Sequence, residues 1–472
     1  MSIKSLGKQS LVYGIGHILA RLVTFLLLPL YTHSFSNEEY GALSLAYAFM
    51  GFTLILYRYG MDTALMKYSV QTNGYERTQH ISVIIFSQLV TSFFFSAVLY
   101  FSRYHIAEWV LGTNRPDWIS LLALILFLDS LWNLPLLILR SEEKAIPFIG
   151  FSILNVLTTM IFNIIFVVNW GYGIEGVFMA NILASGIVFI FSFPILINRI
   201  QLHAFDGIIF TKILYFSLPF LPAGIFTMIM ELSDRYLLEW LLGTADVGLY
   251  SAGKKMGMLG LTVVMGFNMG WTPYFLKRGK EKGARREFAQ ITTFFIGLLG
   301  YMSVLLGLWI PEIMRFKLGG TTLIGSEFWG CEDVVNSILF GYFFFGTYVV
   351  QLPGVYMKEI TNWVPVFRIV GAGTLIGSSI FLIPIFGIVG SAYAVVIAFA
   401  SMSIAIYFKT NTLYAIPYNW RGIIFPIIFL IGIQVDIIGL WPRVAISSLF
   451  PFLWYMLAIT NQERNSLSRL FK

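Results

Sequence analysis

Apolar stretches of about 20 residues recur along this chain from one end to the other, separated by short polar turns. Few folds accept that spacing. A helix needs roughly 20 mostly apolar residues to cross a bilayer. Inside the hydrocarbon every backbone polar group must be satisfied by the protein, which a helix does on its own. A window of this length predicts spans over 10–32, 40–64, 80–101, 117–138, 146–168 and 174–197. It continues with 213–235, 246–271, 288–309, 332–353, 362–384 and 387–408, and closes with 420–440 and 442–460. The expected fold class is therefore an all-α membrane protein of about fourteen transmembrane helices.

Composition removes the soluble alternative. Only 12% of residues are charged and 57% are hydrophobic, whereas soluble domains carry roughly 25% charged residues. The first run, Leu11 to Tyr31, follows Lys4 and Lys8 and contains Arg21. It is longer than the core of a cleaved signal peptide, so it reads as a retained first helix.

Lysine and arginine set the orientation. With the N-terminus inside, most of the 31 basic residues fall in cytoplasmic segments. The external loops hold only Arg103, Arg115, Arg235, Arg315, Lys317 and Arg443. Both termini are expected in the cytoplasm. The net charge of +7 then needs no nucleic-acid partner. The run 277–286, KRGKEKGARR, reads first as a loop held at anionic headgroups. A landing site for a phosphorylated lipid is the sharper alternative.

An internal repeat divides the chain. SFSNEEYGALSLAY (34–47) resembles LLGTADVGLYSAGK (241–254), with Gly41 on Gly248 and Ser44 on Ser251. GYGIEGVFMA (171–180) resembles IFGIVGSAYA (385–394), with Gly173 on Gly387 and Gly176 on Gly390. Two parallel six-helix lobes are expected, 1–197 and 213–408, joined by a cytoplasmic linker at 198–212. Residues 409–472 would add two helices and a tail.

The same stretches carry a resemblance. SDRYLLEWLLGTADVGLYSAGKKM (233–256), FLIPIFGIVGSAYA (381–394) and LVTFLLLPLYTHSFSNEEYGALSLAY (22–47) are similar to bacterial polysaccharide-transport flippases. These belong to the multidrug, oligosaccharidyl-lipid and polysaccharide exporter superfamily. The resemblance implies two six-helix lobes around a central cavity in a bacterial inner membrane. It also implies a cargo of O-antigen or lipopolysaccharide type, an oligosaccharide on undecaprenyl pyrophosphate.

Ionisable groups inside the bilayer are costly and are functional candidates by default. Arg21, Lys254, Lys255, Arg58 and Arg368 are the candidate substrate-binding cations, because charge-assisted bonds to phosphate are strong. Each has a blander alternative in a local ion pair or a snorkelling side chain. Asp129, Asp62 and Glu231 are candidates for coupling to H+ or Na+. Asp129 stands out, since the sequence places no partner near it; a satisfied interhelical hydrogen bond is its alternative. Arg58 and Asp62 are four apart, as are Glu231 and Arg235, so helical pairing is expected for both. Trp132 and Trp271 are expected in interfacial belts. Pro29, Pro219 and Pro222 should bend helices one and seven.

No covalent chemistry is expected. There is one cysteine, Cys331, and the histidines are scattered with no HExxH or CxxC, so no metal site or cofactor is called for. No GxxxxGK[ST] motif occurs. A flippase for lipid-linked oligosaccharide leads, with membrane lipids as its other partners. A multidrug or other cation-coupled exporter is the first alternative, but it suits a chain with buried cations badly. A membrane glycosyltransferase or polymerase is the second, but the loops are short and hold no DxD.

Overall fold

The computed structural model describes residues 25–111, 114–201, 203, 205–360, 362–435 and 439–470. Its contacts separate two compact units, Met1–Tyr236 and Leu237–Lys472.

In the first unit α1 covers 25–34, so the larger part of the first expected span, Arg21 included, lies outside the described residues. α2 (Asn37–Arg58) begins at a capping box: the Glu39 amide donates to Ser36 Oγ at 3.2 Å and the Ser36 amide to Glu39 Oε2 at 2.9 Å. It stops at Tyr59 and Gly60, whose φ values are 29° and 82°. Gly60 also presses on the backbone of Ser217, leaving no room for a Cβ. α3 (Met61–Gln71) restarts the chain in a new direction. Then follow α4 (Gly74–Phe101), α5 (Arg103–Leu111), α6 (Pro116–Ser141), α7 (Ala145–Asn163) with a π-helical extension Ile164–Asn169, and α8 (Gly173–Ile197). α9 (Gly207–Ser217) and α10 (Phe220–Leu241) are separated at Pro219, where a break in helix seven was expected. α6 is central, packing on α2, α3, α4, α5, α7 and α8.

The second unit contains α11 (Thr244–Arg278), α12 (Ala284–Arg315), a small hairpin, α13 (Glu332–Val350), α14 (Leu352–Met357) and α15 (Trp363–Asn411). The hairpin pairs Lys317 with Thr322 and Leu318 with Thr321. α16 (Trp420–Gly432), α17 (Leu440–Leu453) with a π-helical turn Trp454–Ala458, and α18 (Asn461–Leu470) complete it. α13 is central here, packing on α11, α12, α15 and α16.

The protein is an all-α membrane protein. Among the described residues, nine helices are long and apolar enough to cross a membrane. One of them, α15, contains two expected spans, because the chain reverses at Gly387 (φ 60°, ψ −140°). α9 begins inside the stretch expected as linker, and it packs on α3 and α4. The contacts thus group residues up to Tyr236 with the first unit, whereas the repeat divides the sequence at 198–212.

The repeat has a backbone signature. Gly173 and Gly387, equivalent in sequence, both sit at φ 60°. Three residues on, Gly176 and Gly390 each lie against backbone, of Phe166 and Leu382 respectively; a Cβ would be tight at Gly176 and would collide at Gly390. Each unit needs a left-handed glycine and then a close approach as its paired helix begins.

Lipid gives packed helices no hydrophobic drive, so small residues that admit close approach hold them together. Gly253, Gly257 and Gly260 form such a stripe on α11 against α13. A Cβ at Gly257 would sit 2.5 Å from Ile338 Cγ2, and one at Gly253 2.8 Å from the Cys331 carbonyl oxygen. Gly257→Val should cost about 1–3 kcal/mol by overpacking, read as a lower unfolding midpoint in detergent. An unchanged midpoint would mean that α11 and α13 do not depend on this contact.

Candidate functional site

Three embedded charges of the first unit, Arg58, Asp62 and Asp129, lie near one another. Asp129, midway along α6, accepts hydrogen bonds at Oδ1 from Ser185 of α8 at 2.6 Å and from Trp132 at 2.8 Å. The carboxylate that lacked a partner in sequence therefore has two, one of them interhelical and the other from Trp132 of its own helix. The charges of Asp129 and Asp62 both act on Arg58. Tyr47 lies in the field of Asp129 and receives a 2.8 Å bond from Asn181 Nδ2. Tyr47 is hydrogen-bonded to Tyr31, which donates to Asn163 Oδ1 at 2.8 Å. A polar chain thus runs through α8, α2, α1 and α7, beside a carboxylate that has a cation near it.

The expected helical pair of Arg58 and Asp62 does not form. Spacing of four aligns side chains only on a continuous helix, and the chain breaks between them at Tyr59–Gly60. Asp62 instead accepts from the Thr63 amide at 2.9 Å. Arg58 Nε is buried without a hydrogen-bond partner. In the second expected pair, Arg235 reaches the Ser44 carbonyl oxygen at 3.4 Å with its Nη1, and Glu231, exposed on α10, has interactions of its own.

In the second unit Lys254 is buried on α11, its Nζ 5.8 Å from the centre of the Tyr250 ring. Lys255 beside it is half-buried, and so is Arg368 on α15, whose charge acts on Tyr348 of α13. Both lysines and Arg368 have further interactions of their own. The same unit has an apolar cavity of about 410 Å³ among α12, α13, α15 and α16, walled by residues such as Phe344, Ile404 and Ile427. Several polar side chains also line it, among them Thr292, Thr347 and Gln351; Gln351 donates to Ser403 Oγ at 3.0 Å, while its Oε1 is buried and unbonded. The basic run forms a second hollow of about 490 Å³ lined by Lys280, Arg285, Arg286 and Tyr414. Its charge is partly neutralised, since Arg278 pairs with Glu281 and Glu287.

Sequence reasoning missed Tyr31, Tyr47, Asn163, Asn181 and Ser185. It weighed ionisable residues alone. Extending the same cost argument to amides inside apolar runs would have found Asn163 and Asn181. It also missed Glu142, which follows α6. There Arg199 binds both carboxylate oxygens at 2.7 Å, Lys144 lies at 2.9 Å and Arg77 at 3.3 Å. Burial opposes this charge, but Arg199 and Lys144 outweigh it and hold the carboxyl down to about 2.

Fold and site together define a multi-pass membrane protein with two compact helical units, each carrying embedded charge. The chain matches the family described as polysaccharide biosynthesis protein over residues 6–278 and belongs to it. Among curated relatives, Lsg locus putative protein 1 of Haemophilus influenzae is 23% identical over 340 residues, covering 70% of this chain and 81% of that protein. An uncharacterized membrane protein of the same organism is 21% identical, covering 69% and 78%. Among solved structures, the lipid II flippase MurJ in an inward closed conformation aligns with TM-score 0.72 at 14% identity, covering 95% of this chain and 97% of that one. An inward-facing multidrug resistance MATE family transporter of the MOP superfamily aligns at 0.64 and 13% identity, covering 92% and 96%. The fold is shared with a flippase and with drug exporters alike.

Proposed function

We propose that this protein flips an oligosaccharide linked to undecaprenyl pyrophosphate from the cytoplasmic to the outer leaflet of a bacterial inner membrane. The observation that carries the reading is Arg58. It is a guanidinium at the end of an apolar helix, with a buried Nε that lacks a hydrogen-bond partner. Its nearby carboxylates act at a distance instead of closing an ion pair. A guanidinium presents a planar fork that matches phosphate, and its charge is permanent. Membership of a polysaccharide biosynthesis family supports a saccharide cargo, and the 410 Å³ apolar cavity has room for a short segment of a hydrocarbon carrier. Lys254, Lys255, Arg368 and Arg21 are the remaining cations assigned to the pyrophosphate, with alternating access as the mode of transport. Both termini face the cytoplasm. Asp129, with Asp62 and Glu231, is assigned to coupling with H+ or Na+.

Arg58→Ala tests the assignment. Losing a charge-assisted bond of about 1.5–3 kcal/mol should slow flipping roughly 10- to 100-fold. The readouts are surface polysaccharide and the lipid-linked intermediate accumulating on the cytoplasmic side, at normal membrane insertion. Arg58→Lys should recover part of the activity. Wild-type polysaccharide in the alanine variant would remove Arg58 from the pathway.

A further inference from the structure

At one end of the second unit three elements leave a small hollow of about 280 Å³. The first turns of α13 supply Asp333 and Asn336, the turn of α15 after Gly387 supplies Val389 and Tyr393 beside Phe386, and the end of α16 supplies Gln434. The two amides are positioned by bonds to backbone and to Ser337. Asn336 Nδ2 donates to the Ile433 carbonyl oxygen at 3.2 Å. Gln434 donates to the Leu430 carbonyl oxygen at 3.1 Å and accepts from Ser337 at 2.8 Å. The rings of Phe386 and Tyr393 meet edge to face at 5.7 Å and 79°.

The chemistry narrows the occupant. Drug-sized ligands occupy pockets of about 300–1,000 Å³, so this one suits a single small ring. Asp333 follows Glu332, which pairs with Arg315, and among the described residues none that lines the hollow is cationic. An anion is disfavoured. A carboxylate and two amides offer several donors and acceptors at close quarters, which fits a ligand dense in hydroxyls. Two aromatic rings offer apolar faces to the C–H side of such a ring. Lysine and arginine placement puts this end of α13 on the outer side of the membrane.

We propose that this hollow binds one neutral sugar residue at the outer face of the C-terminal unit. The sugar class rests on the flippase reading; the hollow's chemistry stands without it. The site would hold the saccharide as it emerges, apart from the cations assigned to the pyrophosphate.

The test is saturation-transfer NMR on the full-length protein in nanodiscs, with methyl hexosides and methyl N-acetylhexosaminides. Tetramethylammonium chloride is the rival probe, because a carboxylate beside aromatic rings also suits an organic cation. Saturable glycoside binding is expected, about tenfold weaker in Asp333→Asn or Tyr393→Ala and abolished in Val389→Trp, which fills the hollow. Gel filtration and the thermal midpoint show whether each variant folds. Arg58→Ala should bind glycosides normally, so a failed flipping assay and a failed sugar site are distinguishable. A lipid-linked saccharide added in the nanodisc separates cargo from free sugar: tighter binding than the methyl glycoside assigns the site to cargo, equal binding to any neutral sugar. The proposal is overturned by absence of saturable glycoside binding, by binding that survives Val389→Trp, or by glycoside displaced by tetramethylammonium.

Discussion

Glu142→Gln should lower the stability of the first unit by about 2–3 kcal/mol at neutral pH, and the loss should shrink in acid. One carboxylate ties Arg77 at the start of α4, Lys144 in the loop and Arg199 beyond α8 to the end of α6. The glutamate side chain is 13% exposed, so solvent screens it little. Glutamine leaves three cations facing one another around a neutral amide, and breaking one partner of a mostly buried cluster is costly. The pH dependence follows from the carboxyl held at about 2 against an ordinary 4.5. A depressed carboxyl stabilises the fold fully above its unfolded value, and that stabilisation disappears as pH falls through its folded value. At 1.36 kcal/mol per pH unit, the contribution reaches about 3 kcal/mol above pH 4.5 and vanishes toward pH 2. Unfolding midpoints of wild type and Glu142→Gln in detergent should differ widely at pH 7 and converge near pH 2–3. An equal gap at both ends would mean that packing, not charge, is lost in the variant.

The elements were legible in sequence to the degree that length alone determines them. A 20-residue apolar run has one solution in lipid, so α4, α6, α7 and α8 fall where they were expected. Breaks inside a run were harder. The span expected at 40–64 is two helices, because Tyr59–Gly60 turns left-handed and Gly60 lies on Ser217, which is distant in sequence. A lone glycine in an apolar run signals that possibility without deciding it. The error propagated to the site: Arg58 and Asp62 were paired by a spacing that holds only on an unbroken helix. Glycine did speak clearly at the repeat, where Gly173 and Gly387 share a positive φ of 60°. Nothing in local sequence links Lys144 and Arg199 through Glu142, since Arg199 arrives from a different helix. Asp129 was identified as a candidate, but its partners Ser185 and Asn181's neighbour Tyr47 come from α8 and α2, beyond any local window.

Asp129→Asn should leave the fold intact and remove the response of transport to an ion gradient. Asparagine keeps an oxygen where Asp129 Oδ1 accepts from Ser185 at 2.6 Å and Trp132 at 2.8 Å. The α6–α8 contact and the Trp132 orientation therefore survive, and the thermal midpoint should move little. What disappears is the charge that acts on Arg58 and Tyr47. If Asp129 takes up H+ or Na+ during transport, the neutral amide fixes the site in one charge state and the two halves of the cycle no longer differ there. Coupling free energies of about 1–3 kcal/mol correspond to about 5- to 150-fold, so gradient-driven flipping in proteoliposomes should fall by that range. Downhill flipping without a gradient should persist. Ser185→Ala is the complementary variant: it removes one bond, worth about 0.6 kcal/mol on average between membrane helices, and keeps the charge. It should retain gradient dependence while slightly lowering stability. Equal gradient dependence in Asp129→Asn and wild type would take Asp129 out of coupling and leave it the interhelical bond that its geometry already makes it.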